Sequence, residues 1–201
     1  MKKNLIYIAI SAVTLLSFSS CSDFLDRIPQ DELSDGSFWK TPNDAKMFIG
    51  DVYRQVMPGK YNGDVDGDID SDNAVHGIKW AAGNVSKGIY DPADMGWKDD
   101  YKAIRACNVL LEKIDLIENF PQTDKEATIG EARFLRAFTY FGLIQTFGDV
   151  PYVESTLDLH DMDGITRTPV DQVYDKVMED LDYAATHLPA QWPTSDYGRA
   201  T

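Results

Sequence analysis

Four stretches of the chain repeat apolar residues every three or four positions, and proline or glycine closes each one. The first runs from Asn43 through Ala45, Phe48, Ile49, Val52, Tyr53, Val56 and Met57 to Pro58-Gly59. The second carries Trp97, Tyr101, Ile104, Cys107 or Asn108, Leu111, Ile114 and Ile117, and stops at Pro121. The third follows Thr123-Asp124-Lys125-Glu126, a capping-box pattern that supplies partners for the free amides of a helix start. It repeats Ala127, Ala132, Leu135, Phe138, Phe141 (or Tyr140) and Ile144, with Gly148 as a left-handed terminator and Pro151 beyond it. The fourth opens at Thr168-Pro169, a cap residue followed by proline in the first turn, and carries Val170, Val173, Tyr174, Val177, Met178, Leu181, Ala185 and Leu188 up to Pro189. The strand signal is confined to residues 150–154. This pattern predicts an all-α chain in which the second and third helices, joined by a short link, pack as an antiparallel hairpin.

The remainder lacks a period. Residues 59–96 are rich in Gly and Asp with scattered aromatics, and an irregular segment of that length inside a domain tends to be functional. Residues 21–42 read as an extended tether that lays Phe24, Leu25, Phe38 and Trp39 on a helical body spanning 43–201. Arg199-Ala200-Thr201 reads as the opening of a further helix, and the stripe on the fourth helix is broad enough to want another partner. The expectation is the front part of a larger protein.

The amino terminus is a targeting segment. Lys2 and Lys3 precede an almost unbroken apolar run from Leu5 to Leu16. That run is short for a bilayer-spanning helix, which needs about 20 residues, and has the length of a signal-peptide core, so residues 1–20 are expected to be removed. Ser17-Phe18-Ser19-Ser20-Cys21 resembles a bacterial lipobox, with Phe18 where Leu is usual. Cys21 is then the lipidated first residue of the mature chain. Each buried CH₂ of an acyl chain contributes about 0.8 kcal/mol of membrane affinity, so several chains hold it firmly. With Cys21 acylated, Cys107 has no partner for an intramolecular disulfide.

Charge excludes other classes. The chain has 33 acidic and 19 basic residues, a net charge of −14, which repels a phosphate backbone and disfavours nucleic acid as a partner. Two cysteines and three histidines are too few for a disulfide framework or a Cys/His zinc cage.

Several stretches, in order, resemble one family. Cys21-Ser-Asp-Phe-Leu-Asp26, Gly36-Ser-Phe-Trp-Lys-Thr-Pro-Asn-Asp-Ala45, Trp97-Lys-Asp-Asp-Tyr-Lys-Ala-Ile-Arg-Ala-Cys-Asn108 and Gly130-Glu-Ala-Arg-Phe-Leu-Arg-Ala-Phe-Thr-Tyr-Phe141 are similar to SusD/RagB-like nutrient-binding lipoproteins of Bacteroidetes. So are Phe147-Gly-Asp-Val-Pro151, Arg167-Thr-Pro169 with Asp180-Leu181, and Gly198-Arg-Ala-Thr201. The resemblance implies a tetratricopeptide-repeat-like helical scaffold with long irregular ligand-facing loops, displayed at the cell surface on the outer membrane. It also implies capture of an oligosaccharide and its delivery to a SusC-like TonB-dependent transporter. Asp23 and Asp26, just after Cys21, resemble a signal for display on the outer face. Family members are longer, so their C-terminal part is absent from this sequence.

Ligand residues are expected in the 59–96 segment. Sugars pack flat C–H faces on aromatic rings while their hydroxyls bond amide and acidic side chains. Trp80, with Asn84 nearby, resembles the stacking position of the starch-binding family member, and Tyr90 is a further candidate. Trp97 and Tyr101 fall on the helical stripe and read as core. Glu131, Arg133 and Arg136 read as ion pairs that set helix packing, since a carboxylate beside a guanidinium is a poor general acid. The acidic run over 64–72 suggests calcium but fails the EF-hand loop, which wants Gly at its sixth position and Glu at its twelfth; calcium stays an open alternative, and no other cofactor or metal is expected. The three histidines have no ligand spacing, and Cys107 lies on the buried stripe without a basic neighbour in sequence, so a reactive thiol is not expected.

Three functions compete. A binding protein without catalysis is the first. The second keeps the lipoprotein and the transporter but takes peptide or another nutrient, as RagB-like relatives do. A surface glycoside hydrolase is the third, and would need two positioned carboxylates or a nucleophile with its base; none is marked out.

Overall fold

The computed structural model describes residues 38–57, 96–158, 160–161 and 163–201. Trp39–Thr201 is the larger of the two units into which the chain divides. Four α-helices make up the described part of the larger unit: α1 (Pro42–Val56), α2 (Trp97–Lys113), α3 (Gln122–Phe147) and α4 (Val170–His187). A 3-10 turn at Ile114–Leu116 extends α2 and another at Thr194–Asp196 follows α4. Residues 58–95, with Trp80, Asn84, Tyr90 and the acidic run over 64–72, lie outside the described residues, as does Cys21.

α3 is the spine. It packs against α1, α2 and α4, and its buried residues include Ala127, Glu131, Ala132, Leu135, Arg136, Thr139, Tyr140 and Leu143. α2 and α3 form the expected antiparallel hairpin, with Trp97 edge-on to Phe147 at 4.9 Å and Tyr101 edge-on to Tyr140 at 6.4 Å. α4 returns along α3: a Cβ on Gly130 would lie 3.3 Å from Leu188, while Arg136 reaches Asp180. This is the helix-pair stacking of a tetratricopeptide-repeat-like, all-α scaffold. Ile104, Tyr140, Leu143, Val150, Val173 and Val177 form the core cluster, with Trp97, Tyr101, Phe147 and Tyr152 packed on it. Trp97 and Tyr101 are thus core, as their spacing predicts. Trp39 is buried against Phe48 at 4.9 Å.

Element ends depart from the sequence reading in instructive ways. Thr123 does not cap α3. The helix begins at Gln122 behind Pro121, whose φ of −56° and ψ of 130° set the entry, and Lys125 N–H donates to the Pro121 carbonyl at 2.9 Å. The box sits instead at α1, where the Thr41 amide and hydroxyl donate to the Asp44 carboxylate at 2.7 and 2.9 Å. Nor does Thr168 cap α4: it pairs with Val150 in an isolated antiparallel bridge, and Asp149 Oδ1 accepts the Val170 N–H at 2.9 Å. Gly148 ends α3 with φ 67° and ψ −120°, a positive φ as predicted, although this ψ is not that of the left-handed helix.

No strand forms over 150–154 beyond that single bridge. Side chains hold the segment down instead. Tyr101 Oη donates to the Pro151 carbonyl (2.6 Å), Asn108 Nδ2 to the Val153 and Ser155 carbonyls (3.1 Å each), and Val153 N–H to Tyr140 Oη (2.8 Å). Glu112 accepts the Thr156 amide and hydroxyl at 2.7 and 2.6 Å. The backbone groups find partners on α2 and α3, which is why no neighbouring strand is needed.

Candidate functional site

The expected ligand residues Trp80, Asn84 and Tyr90 fall outside the described residues, so the described site is built from what surrounds the ends of α1, α3 and α4. Two polar constructions organise it.

The first is buried. Arg136 Nε and Nη2 donate to the two carboxylate oxygens of Asp180 at 2.7 and 2.8 Å, and Nη1 donates to Asn108 Oδ1 at 2.8 Å. Asn108, Arg136 and Asp180 are all buried. Burial alone would pull the Arg136 pKa down; the bonds and charge of Asp180 more than reverse this, and the net direction is up. One guanidinium therefore ties α2, α3 and α4 together, and through Asn108 it reaches the 153–155 backbone. The bidentate geometry fixes orientation as well as contact. Nothing in it offers a proton to a substrate. Cys107 is fully buried beside this network, and burial pushes its thiol up to about 12, an inert group as its position in the stripe predicts.

The second links the chain's last residues to the scaffold. Glu131, wholly buried on α3, accepts Tyr53 Oη at 2.9 Å and both Nε (2.7 Å) and Nη2 of Arg199. Arg199 Nη1 also donates to Asp196 (2.9 Å), which holds Lys46 of α1 at 2.7 Å. The Asp196 carboxyl is held below the usual range, the Lys46 hydrogen bond being the main cause. Gly198, at φ 96°, turns the backbone so that Arg199 points inward, and the Ala200 N–H donates to Tyr53 Oη at 2.8 Å. The Arg199 guanidinium lies over the Trp192 ring at 3.7 Å, while Trp192 Nε1 donates to the Ala200 carbonyl at 2.6 Å.

Beside this second network, with Lys46, Asp196 and Arg199 in its wall, opens a cleft of about 690 Å³, lined also by Asn43 of α1, Phe120, Asp124 of α3, His187 of α4, Gln191 and Trp192. His187 stacks on Tyr183 at 3.9 Å and donates Nδ1–H to the Tyr183 carbonyl at 2.8 Å. None of these residues stands out as a site residue from the sequence alone. The only local signal was an aromatic beside prolines, Trp192-Pro193, in a stretch without apolar period.

Glu131 and Arg136 are thus the ion-paired, packing residues expected of them, with partners distant in sequence. Arg133 lies over the Tyr183 ring at 4.2 Å and 3.7 Å from Asp180. A family model described as starch-binding and associating with the outer membrane matches residues 23–201.

The chain belongs to the SusD-like family.

SusD-like protein P2 of Formosa agariphila is 31% identical over 88% of this chain and 37% of that one. A SusD-like crystal structure from Bacteroides fragilis superposes with a TM-score of 0.71 at 27% identity, covering 87% of this chain and 35% of that one. A laminarin-binding SusD-like protein shares the fold, with a TM-score of 0.69 at 24% identity over 81% of this chain and 38% of that one. The chain spans between 37% and 40% of the length of the curated relatives it matches.

Proposed function

We propose that this SusD-like chain belongs to a cell-surface lipoprotein that captures an oligosaccharide and delivers it to a SusC-like TonB-dependent transporter in the outer membrane. It binds and does not cut. The observation that carries this reading is the family match over 23–201, which begins two residues after the cysteine that closes the apolar leader. The described charges support it: Arg136, Asp180, Glu131 and Arg199 are consumed by one another, whereas hydrolysis requires a carboxylate pair set about the scissile bond. Cys21 carries the acyl anchor. Trp80 and Tyr90 supply stacking faces, and Asn84 supplies hydrogen bonds to hydroxyls.

A glycan array run beside a peptide library on the full-length protein tests the ligand class. Laminarin and starch oligosaccharides are the first probes, since a relative of this fold is described as laminarin-binding and the family as starch-binding. Retention of a glycan that Trp80→Ala weakens about tenfold or more is the expected result. Binding of peptides alone would replace the sugar with a RagB-like ligand, and release of shorter sugars by the purified protein would make it a hydrolase. Co-purification with the transporter tests the partnership.

A further inference from the structure

The cleft at the ends of α1, α3 and α4 has the size of a small-molecule site, which commonly occupies about 300–1,000 Å³. Three rings line it, Trp192, Phe120 and His187, each partly buried, along with three exposed side chains that hydrogen-bond through amide or carboxylate groups, Asn43, Gln191 and Asp124. Rings supply flat apolar faces, and the amides both donate and accept.

Its charges are largely spoken for. Lys46 is paired with Asp196 at 2.7 Å, and Arg199 with Glu131 and Asp196. A charged ligand would have to compete with those pairs, whereas a neutral polyhydroxylated one would not. The walls are also held in place before any ligand arrives. Arg199 and the Ala200 carbonyl fix the Trp192 ring, and Tyr183 fixes His187. A ring already ordered loses little rotamer freedom on binding.

We propose that this cleft is a second carbohydrate subsite, taking a short stretch of a neutral glycan through residues other than Trp80, Asn84 and Tyr90. The inference rests on the reading of the protein as a glycan binder and adds a second point of attachment to it. Two weak subsites on one polymer raise overall retention well beyond either alone, because the second contact is intramolecular.

Calorimetric titration of the full-length protein with maltohexaose and with laminarin oligosaccharides tests it. Asn43→Ala with Gln191→Ala alters exposed side chains and leaves the Arg199 stack intact; Trp192→Ala removes the ring, with a thermal melt to register any loss of fold. In a Trp80→Ala background, a weaker binding event is expected to remain, and the Asn43/Gln191 pair is expected to lower its affinity by about tenfold or more. Wild-type affinity and stoichiometry in the Asn43/Gln191 and Trp192 variants, in both backgrounds, would overturn the second subsite alone. Absence of any glycan binding by the unaltered protein would overturn the proposed function and this inference together.

Discussion

Arg136 on α3 and Asp180 on α4 meet through two parallel hydrogen bonds of 2.7 and 2.8 Å, both side chains being buried. They lie 44 residues apart in sequence, and the pair sets how the two helices are turned towards each other. Removing one partner leaves a charge with no water to receive it. The desolvation cost of a buried pair is high enough that replacing both with apolar groups is often nearly neutral. Accordingly, Asp180→Leu or Arg136→Met alone is expected to destabilise the full-length protein by about 3–5 kcal/mol, with the double variant recovering much of the loss. Denaturant midpoints of the four proteins in the cycle measure this; equal losses in singles and double would show that the pair does not couple.

Cys107 yields a pH prediction. Its thiol is raised from 9.0 to about 12 by burial, so the folded state keeps the proton that the unfolded state releases. A raised folded pKa contributes stability that is complete below pH 9 and is lost as pH climbs towards 12. Burial raises the hydroxyls of Tyr53, Tyr101, Tyr140 and Tyr152 as well, which adds to the alkaline loss. The melting temperature should fall steadily across that window, with a shallower fall for Cys107→Ala. In the folded protein at neutral pH, mass spectrometry of the Cys107 peptide should find it unmodified by iodoacetamide; ready alkylation would contradict the burial.

Asp149 caps α4 from outside the helix, its Oδ1 accepting the Val170 N–H at 2.9 Å. Loss of an N-terminal cap costs about 0.5–2 kcal/mol. Asp149→Ala should therefore lower stability by about that amount, and Asp149→Asn by much less, because the amide oxygen still accepts. Thr168→Ala should leave the cap intact, since Thr168 contributes its backbone to the bridge with Val150. A thermal melt of the three variants separates the two assignments.

The proposed lipid anchor at Cys21 makes a prediction about localisation. On that proposal Cys21→Ser removes the acylation site, and with it the affinity of about 0.8 kcal/mol that each buried CH₂ of an acyl chain contributes. Metabolic labelling with a radioactive fatty acid should mark the parent protein and not the variant, and the variant should leave the membrane fraction. Equal labelling of both would place the anchor elsewhere.

Within the described residues, the helices were legible because helix period and proline punctuation are local. Ala45, Ile49, Val52 and Val56 on α1, and Val173 and Val177 on α4, are buried as the spacing predicts. Where two neighbouring positions competed, the spacing could not choose. Tyr140 is buried and Phe141 is 40% exposed, because Tyr140 Oη has the Val153 backbone to bond and its ring meets Tyr152 at 4.7 Å. Cys107 and Asn108 are both buried, Asn108 only because Arg136 and two carbonyls satisfy its amide. On α4 the stripe is wider than its cover among the described residues: Val170, Tyr174 and Met178 are each at least 40% exposed. Periodicity reports which residues share a face, not what is there to cover it.

The sequence by itself determined the helical class, the ends of α3 and α4 beside Gly148 and Pro189, and the family, whereas α2 closes at Lys113 with a 3-10 turn, short of the expected stop at Pro121. Each of these is written in neighbouring residues or in short ordered motifs. Only the tertiary structure decided which charges are paired, which residue caps α4, that the 150–157 segment is held by side chains instead of a strand, and that Trp192 shares a cleft with Asn43. Those contacts include pairs from 13 to 150 positions apart. A hydrogen bond depends on distance and angle in space, and spacing along the chain fixes neither once helices have folded back on one another.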